Sequence, residues 1–281
     1  MKRVFLTLMG ISLTMVLVAQ TPGSRIVLSR GQKILVTTTV FINTNMAPGM
    51  EATSSSTSEN SLEVKQATDK FYILNSILTK LKLNAEMPGN STAYDSEKKG
   101  DNDSEIGKSL SEKLNKVTEI TIDNATGKAL NTIKSDPKIG MDESNPMQSM
   151  MQMFGDNSSD EAIVSGAFQL IPQGKKVGDS WSDSVNEKNM KVMRNYTFRS
   201  REDSGAMVQL RTTIESTGTM EAMGMNMDVN TITQTTSDIL VDIATGIVKR
   251  KTTDANITGS FQLMGQSVPI SAKATTTSIY R

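Results

Sequence analysis

Apolar and polar residues alternate with a period of two along most of this chain. Ile34 to Ile42 is a run rich in β-branched residues, and it ends at the turn signal Pro48-Gly49. Glu51 to Lys65 returns, with Leu62 and Val64 in alternation, and Ala67 to Lys70 turns the chain again. Phe71 to Leu83 fits two periods. Ile73, Leu74, Ile77, Leu78 and Leu81 match a helical repeat, whereas Leu81 and Leu83 match a strand, and the strand is the preferred reading. In the second half Asn195 to Arg201, Met207 to Ser216, Met225 to Thr233, Ile239 to Asp242, Ile247 to Ile257 and Val268 to Ala274 each place alternate residues on one face. Several of these runs span about 10 to 13 residues, against a usual 5 or 6. Long antiparallel strands twist, so a sheet built from them curls.

One stretch, Pro146 to Phe168, breaks the alternation. Met147, Met150, Met151 and Phe154 recur at i, i+3, i+4 and i+7, the apolar stripe of an amphipathic helix, with Asp142 to Asn145 available to cap its start. Ala162 to Leu170 reads as a second short helix. Asp95 to Lys116 is charged and serine-rich, an insert that reads as a solvated loop or a short helix.

The β pattern is stated twice. Thr118 to Lys128 resembles Ser237 to Ile247, and each copy runs from a strand into Asp-x-Ala-Thr-Gly and out into a second strand. Gly supplies the turn conformation there, and Asp and Thr can close the turn on their own backbone. The expected fold is mainly β with minor helix: two related antiparallel meanders forming a curved, half-barrel-like sheet or sheets, with the Met-rich helix between them. Residues 1–19 are a signal peptide, 20–133 the first unit with its insert at 95–116, 134–168 the connector, and 169–281 the second unit.

The signal peptide rests on Lys2-Arg3, the apolar run Val4 to Val18, and a small residue at Ala19 before Gln20, where cleavage is expected. That run is shorter than the roughly 20 residues a membrane span needs. The mature chain is therefore expected outside the cytoplasm, periplasmic or extracellular, without a transmembrane anchor. Losing Lys2 and Arg3 changes 30 basic against 30 acidic residues into 28 against 30. Such a balance gives no electrostatic reason to expect nucleic acid as a partner.

The chain holds no cysteine and no histidine. Disulfides, thiolate chemistry, Ser–His pairs and the usual zinc ligand sets are thereby excluded. Acidic pairs such as Asp101 with Asp103, or Asp156 with Asp160 and Glu161, sit in Ser/Asn-rich stretches without the spacing of a calcium loop. No catalytic residue, metal site or cofactor is expected. Met220, Met223, Met225 and Met227 could offer thioethers to a soft metal such as copper, but they continue the period of Val229 and read as packing. Trp181, the single tryptophan, reads as an anchor over the end of the core, with an aromatic binding platform as the alternative. Asp183-Ser184-Val185 resembles a short O-glycosylation acceptor pattern.

Leu28-x-x-Gly31-Gln32-Lys33, the Met-rich centre, Gly178-Asp179-Ser180-Trp181 and Asp242-Ile243-Ala244-Thr245-Gly246 together resemble an uncharacterised domain family of exported Gram-negative envelope proteins. The resemblance implies an exported or lipid-anchored protein and brings no catalytic residues with it. The chain departs from the anchored form in lacking a cysteine. These observations lead to a non-enzymatic envelope protein binding an apolar or lipid-like ligand between curved sheet and helix, with Met147, Met150, Met151, Phe154 and Trp181 as candidate ligand contacts. A structural or surface-interaction module partnering an envelope protein, with no small-molecule site, is the alternative, and soft-metal binding the third.

Overall fold

The computed structural model describes residues 25–47, 50–133, 160–202, 205–222, 225–263 and 266–281. The expected cleavage site at Ala19 and Gln20 and the Met-rich stripe of Met147, Met150, Met151 and Phe154 lie outside the described residues. Twelve strands form one antiparallel sheet. In chain order they are β1 (Lys33–Ala47), β2 (Met50–Ala67), β3 (Phe71–Met87), β4 (Asn90–Asp95), β5 (Val117–Asp123) and β6 (Ala129–Ile133). The second half supplies β7 (Ser180–Glu187), β8 (Met190–Glu202), β9 (Gly205–Ala222), β10 (Met225–Val241), β11 (Val248–Leu263) and β12 (Gln266–Tyr280). Two short helices, α1 (Glu105–Ser111) and α2 (Asp160–Gly166), and a 3-10 turn at Lys99–Asp103 complete the described elements.

The sheet order is β6-β5-β3-β2-β1-β12-β11-β10-β9-β8-β7, with β4 beside β3. Each half is thus a meander, the first interrupted by β4, the 3-10 turn and α1 between β3 and β5, and the halves share one seam, β1 against β12, with Val36 opposite Tyr280 and Asn45 opposite Ser271. The sheet is curved and does not close, because β6 and β7 remain its two edges.

β3 is a strand, and its pairing explains the apparent helical period. Asn60 faces Leu78 and Glu59 faces Lys80, so Thr79 is an extra residue on β3. The bulge shifts the phase of the alternation. Leu74, Ser76 and Leu78 face one way before it, and Leu81, Leu83 and Ala85 face the same way after it. The insert is folded: Ser104 caps α1 by accepting from the Gly107 N–H at 2.9 Å, and Leu110 packs with Leu83 and Tyr94 in a small cluster of its own.

The main core sits at one end of the sheet. Val36, Leu62, Leu74, Ile120, Val208, Val241 and Val248 come from strand segments at that end, and Ile26, Val164 and Phe168 fill the space between them. The twin turns meet there. At Asp123 the carboxylate accepts from the N–H of Ala125 and Thr126, and the Gly127 N–H donates to the Asp123 carbonyl. At Asp242 the carboxylate accepts from Ala244 and Thr245, and Gly246 donates to the Asp242 carbonyl. Gly127 has φ +72° and Gly246 φ +75°, which L side chains rarely adopt. The segment before β1 straps the turns together, since the Ile26 N–H donates to Asn124 at 2.7 Å and the Val27 N–H to Thr245 at 3.0 Å. The chain after α2 does the same from the other side, with Gln169 donating to Gly246 and Val248 to Ala167.

Two predictions follow from this clamp. A Cβ at Gly246 would lie 2.9 Å from Leu170 Cδ2, whereas one at Gly174, also at positive φ, would meet nothing within 4 Å. Gly246→Ala is expected to lower stability by about 2–4 kcal/mol and Gly174→Ala by about 1 kcal/mol, read by urea denaturation. Burial alone would raise the Asp242 carboxyl, but the N–H groups of Thr245 and Ala244 and the Lys249 ammonium outweigh it and hold the carboxyl below its ordinary value. Its stabilising contribution is then complete above the unfolded carboxylate range and is lost as pH falls through the lower folded value. Asp242→Asn should therefore be less stable than the native chain at neutral pH, and the gap should shrink in acid.

Candidate functional site

The curl gives the sheet a concave face, and its floor is the solid core. Register fixes which residues line it. Across the floor run Phe198, Val208, Ile239, Lys251 and Ser278, each opposite the next. One step further out run Trp181, Tyr196, Leu210, Ser237, Thr253 and Thr276. Asp183 and Arg194 face each other in the next row. Neighbours in a strand alternate faces, so Lys251 shares the inward side with Ile239 and Ser278, and Arg250 faces out.

Trp181 is placed on this face, packed against the main core, with its ring stacked on Tyr196 at 5.2 Å between centroids and 1° between planes. The Tyr196 hydroxyl donates to Asp183 at 3.4 Å, and the Arg194 guanidinium meets the same carboxylate at 3.1 Å. Burial, then the Asp183 charge, pushes the Tyr196 phenol up to about 12, so it stays a protonated donor. Gly178, at φ +96°, turns the chain into β7 ahead of Trp181, in keeping with the sequence.

Lys251 stands apart. The hydroxyls around it bond one another: Ser278 with Thr38 at 3.0 Å, and Ser237 with Thr253 at 2.8 Å. Among the described residues no carboxylate or acceptor meets its ammonium. Burial first, and repulsion from Arg194 second, hold it below the ordinary lysine range. Two further polar atoms on this face, Thr44 Oγ1 and Asn60 Oδ1, are buried with no hydrogen-bond partner among the described residues. The convex face differs. It carries two shallow depressions, of about 320 Å³ around Ile232 and about 530 Å³ around Phe41, each with a single glutamate.

The sequence reading singled out Trp181 and missed its company. The local signal was faint: Arg194 stands between Val192 and Tyr196, whereas Asp183 and Lys251 are placed inward only by the pairing of β7 and β11 with their neighbours. The methionine thioethers at positions 220 to 227 are outside the described side chains, although the backbone pairs Met227 with Met220. Among the described residues no group of acidic side chains is arranged to hold a metal ion. No described helix is long and apolar enough to cross a membrane.

A family of unknown function, DUF6263, matches residues 69–248, which include Gly178 to Trp181 and Asp242 to Gly246. No curated protein matches the sequence. Among solved structures, one of lipovitellin concerned with lipid–protein interactions aligns with a TM-score of 0.50 at 10% identity, over 90% of this chain and 25% of that one. A COG4313 outer membrane channel from Pseudomonas putida F1 aligns with a TM-score of 0.39 at 10% identity, over 92% of this chain and 99% of that one. At such identity the likeness to lipovitellin is one of fold, and the chain spans a quarter of that protein's length.

If Lys251 and Arg194 crowd each other, Asp183 is what keeps the face tolerable. Asp183→Asn leaves two cations facing one another, whereas Arg194→Met removes one of them. Both positions are partly exposed, with side chains 37% and 30% accessible. Asp183→Asn is expected to cost about 1 kcal/mol in urea denaturation, and Arg194→Met less than half of that.

Proposed function

The chain belongs to DUF6263, a family of unknown function, and we propose that it is an exported, non-enzymatic protein of the cell envelope that carries an apolar or lipid-like ligand on its concave face. The observation that carries this reading is the curl itself. An open sheet bent around a core at one end leaves a long inward surface beyond that core, lined by Val40, Ile42, Ile214, Ala255 and Ile257 among hydroxyls. The fold likeness to lipovitellin supports the reading as an analogy of architecture. Export rests on the basic, apolar and small-residue pattern ending at Ala19.

The filled base narrows the proposal. Ile26, Val164 and Val208 leave no room between core and sheet at that end, so a ligand lies outward of Lys251. The alternative, an interaction module without a small-molecule site, draws support from the same solid base.

The test is native mass spectrometry and solvent extraction of the mature chain purified without detergent. A co-purifying acyl lipid, and quenching of Trp181 emission when it is added back to extracted protein, are expected. Protein that carries nothing, and whose tryptophan emission is unmoved by any lipid, would end the carrier reading and leave the interaction module.

A further inference from the structure

Lys251 is a half-buried cation with no counter-charge among the described residues, placed where an apolar floor gives way to a mixed wall. Phe198, Val208 and Ile239 lie beside it in its row, and Ser278 on its other side is already bonded to Thr38. A charged group withdrawn from water without a partner is costly, so such groups are paired, neutralised or used. Arg194, the other cation of this face, is committed to Asp183 at 3.1 Å. Lys251 and Arg194 against Asp183 leave one net positive charge facing into the concavity. The complement is one negative charge.

The position of that charge selects the shape of its bearer. Lys251 sits at the inner limit of the open face, next to the packed core. A group reaching it must be the end of a molecule, since the next row inward is filled by Val241, Val248 and Tyr280. Outward, β11 runs six residues from Lys251 to Ile257, roughly 20 Å at the rise of a strand, before the inward face is buried again around Ile270 and Ala272. Thr253, Ala255 and Ile257 follow on the inward side, with Ala274 and Ile214 on nearby strands. A slim apolar chain fits such a path better than a broad ring or a polar polymer.

We infer that the concave face takes a long-chain carboxylate, its terminal carboxylate held by Lys251 at the floor and its acyl chain laid outward along β11. This rests on the carrier reading above and adds the headgroup to it. Arg194 lends long-range attraction, and the Trp181–Tyr196 stack forms one side of the entrance to the floor. The carboxylate gives Lys251 the partner that none of the described residues provides.

The inference is tested on extracted, full-length mature protein by titrating oleate, oleyl alcohol and acetate, with Trp181 emission and calorimetry as readouts. Oleate is expected to bind about tenfold or more tightly than oleyl alcohol, the scale of one charge-assisted contact. Acetate at the same concentrations is expected not to bind, because the chain supplies the apolar contact. Lys251→Met should erase the preference for oleate and leave oleyl alcohol unchanged, while Lys251→Arg should keep most of the preference. Ligand-free Lys251→Met should also melt at or above the native temperature, since an unpaired cation has been removed. The wild-type ratio needs no variant and decides even where Lys251→Met fails to fold. Equal affinity for oleate and oleyl alcohol would overturn the headgroup and leave an apolar carrier standing. Acetate binding as tightly as oleate would overturn the amphiphile in favour of a small-anion site. Binding of neither oleate nor oleyl alcohol would remove the carrier reading and this inference with it.

Discussion

The curl of the sheet depends on Ile26. Its backbone N–H holds the first Asp-x-Ala-Thr-Gly turn, its neighbour Val27 holds the second, and its side chain is fully buried against both turn glycines. The turns belong to β5–β6 and β10–β11, which lie apart in the sheet with β3, β2, β1 and β12 between them. Only a sheet bent back on itself brings them to one residue. Burial of that side chain is worth about 2–3 kcal/mol by area. It also decides where the core forms, and hence which strand ends are packed and which are left as open face.

From that constraint the polarity of the inner surface follows. Near Ile26 the inward positions are Val, Ile and Leu, because they touch one another. Farther along the same strands Thr, Ser and Ala enter among apolar residues such as Val40, Ile42, Ile214 and Ile257, with hydroxyls paired across strands as in Thr38 with Ser278 and Ser237 with Thr253. The charged trio of Lys251, Arg194 and Asp183 marks the border between the two regimes. There Arg194 is paired with Asp183, the Tyr196 phenol is held up at about 12, and burial with repulsion from Arg194 holds Lys251 below the ordinary lysine range.

Much of this architecture was legible in the residues. Strand runs, turns at Asp123 and Asp242 and the role of Gly178 all follow from local chemistry, and local chemistry is what a sequence displays. Two kinds of feature were hidden. Short strands such as β4 and β7 have too few apolar positions to show a period, as Ser180–Glu187 illustrates with Trp181 and Val185 alone. Long-range register was hidden as well. The bulge at Thr79 made a strand look helical, and nothing in the sequence tells that Lys251 lies beside Ile239 or within reach of Arg194. Trp181 was legible because tryptophan is rare here. Lys251 was not, because one lysine among many shows its burial only after the strands are paired.

The seam between β1 and β12 has a kinetic consequence. Thr38 and Ser278, bonded across it, are 240 residues apart in the chain. Closing so long a loop is entropically slow, and folds dominated by distant pairings are among the slower ones. Until the last strand is in place, β1 presents an unpaired edge and the two meanders remain unjoined. The same interval exposes a strand edge to neighbouring chains, so the molecule's hazard is greatest before its final fifteen residues arrive.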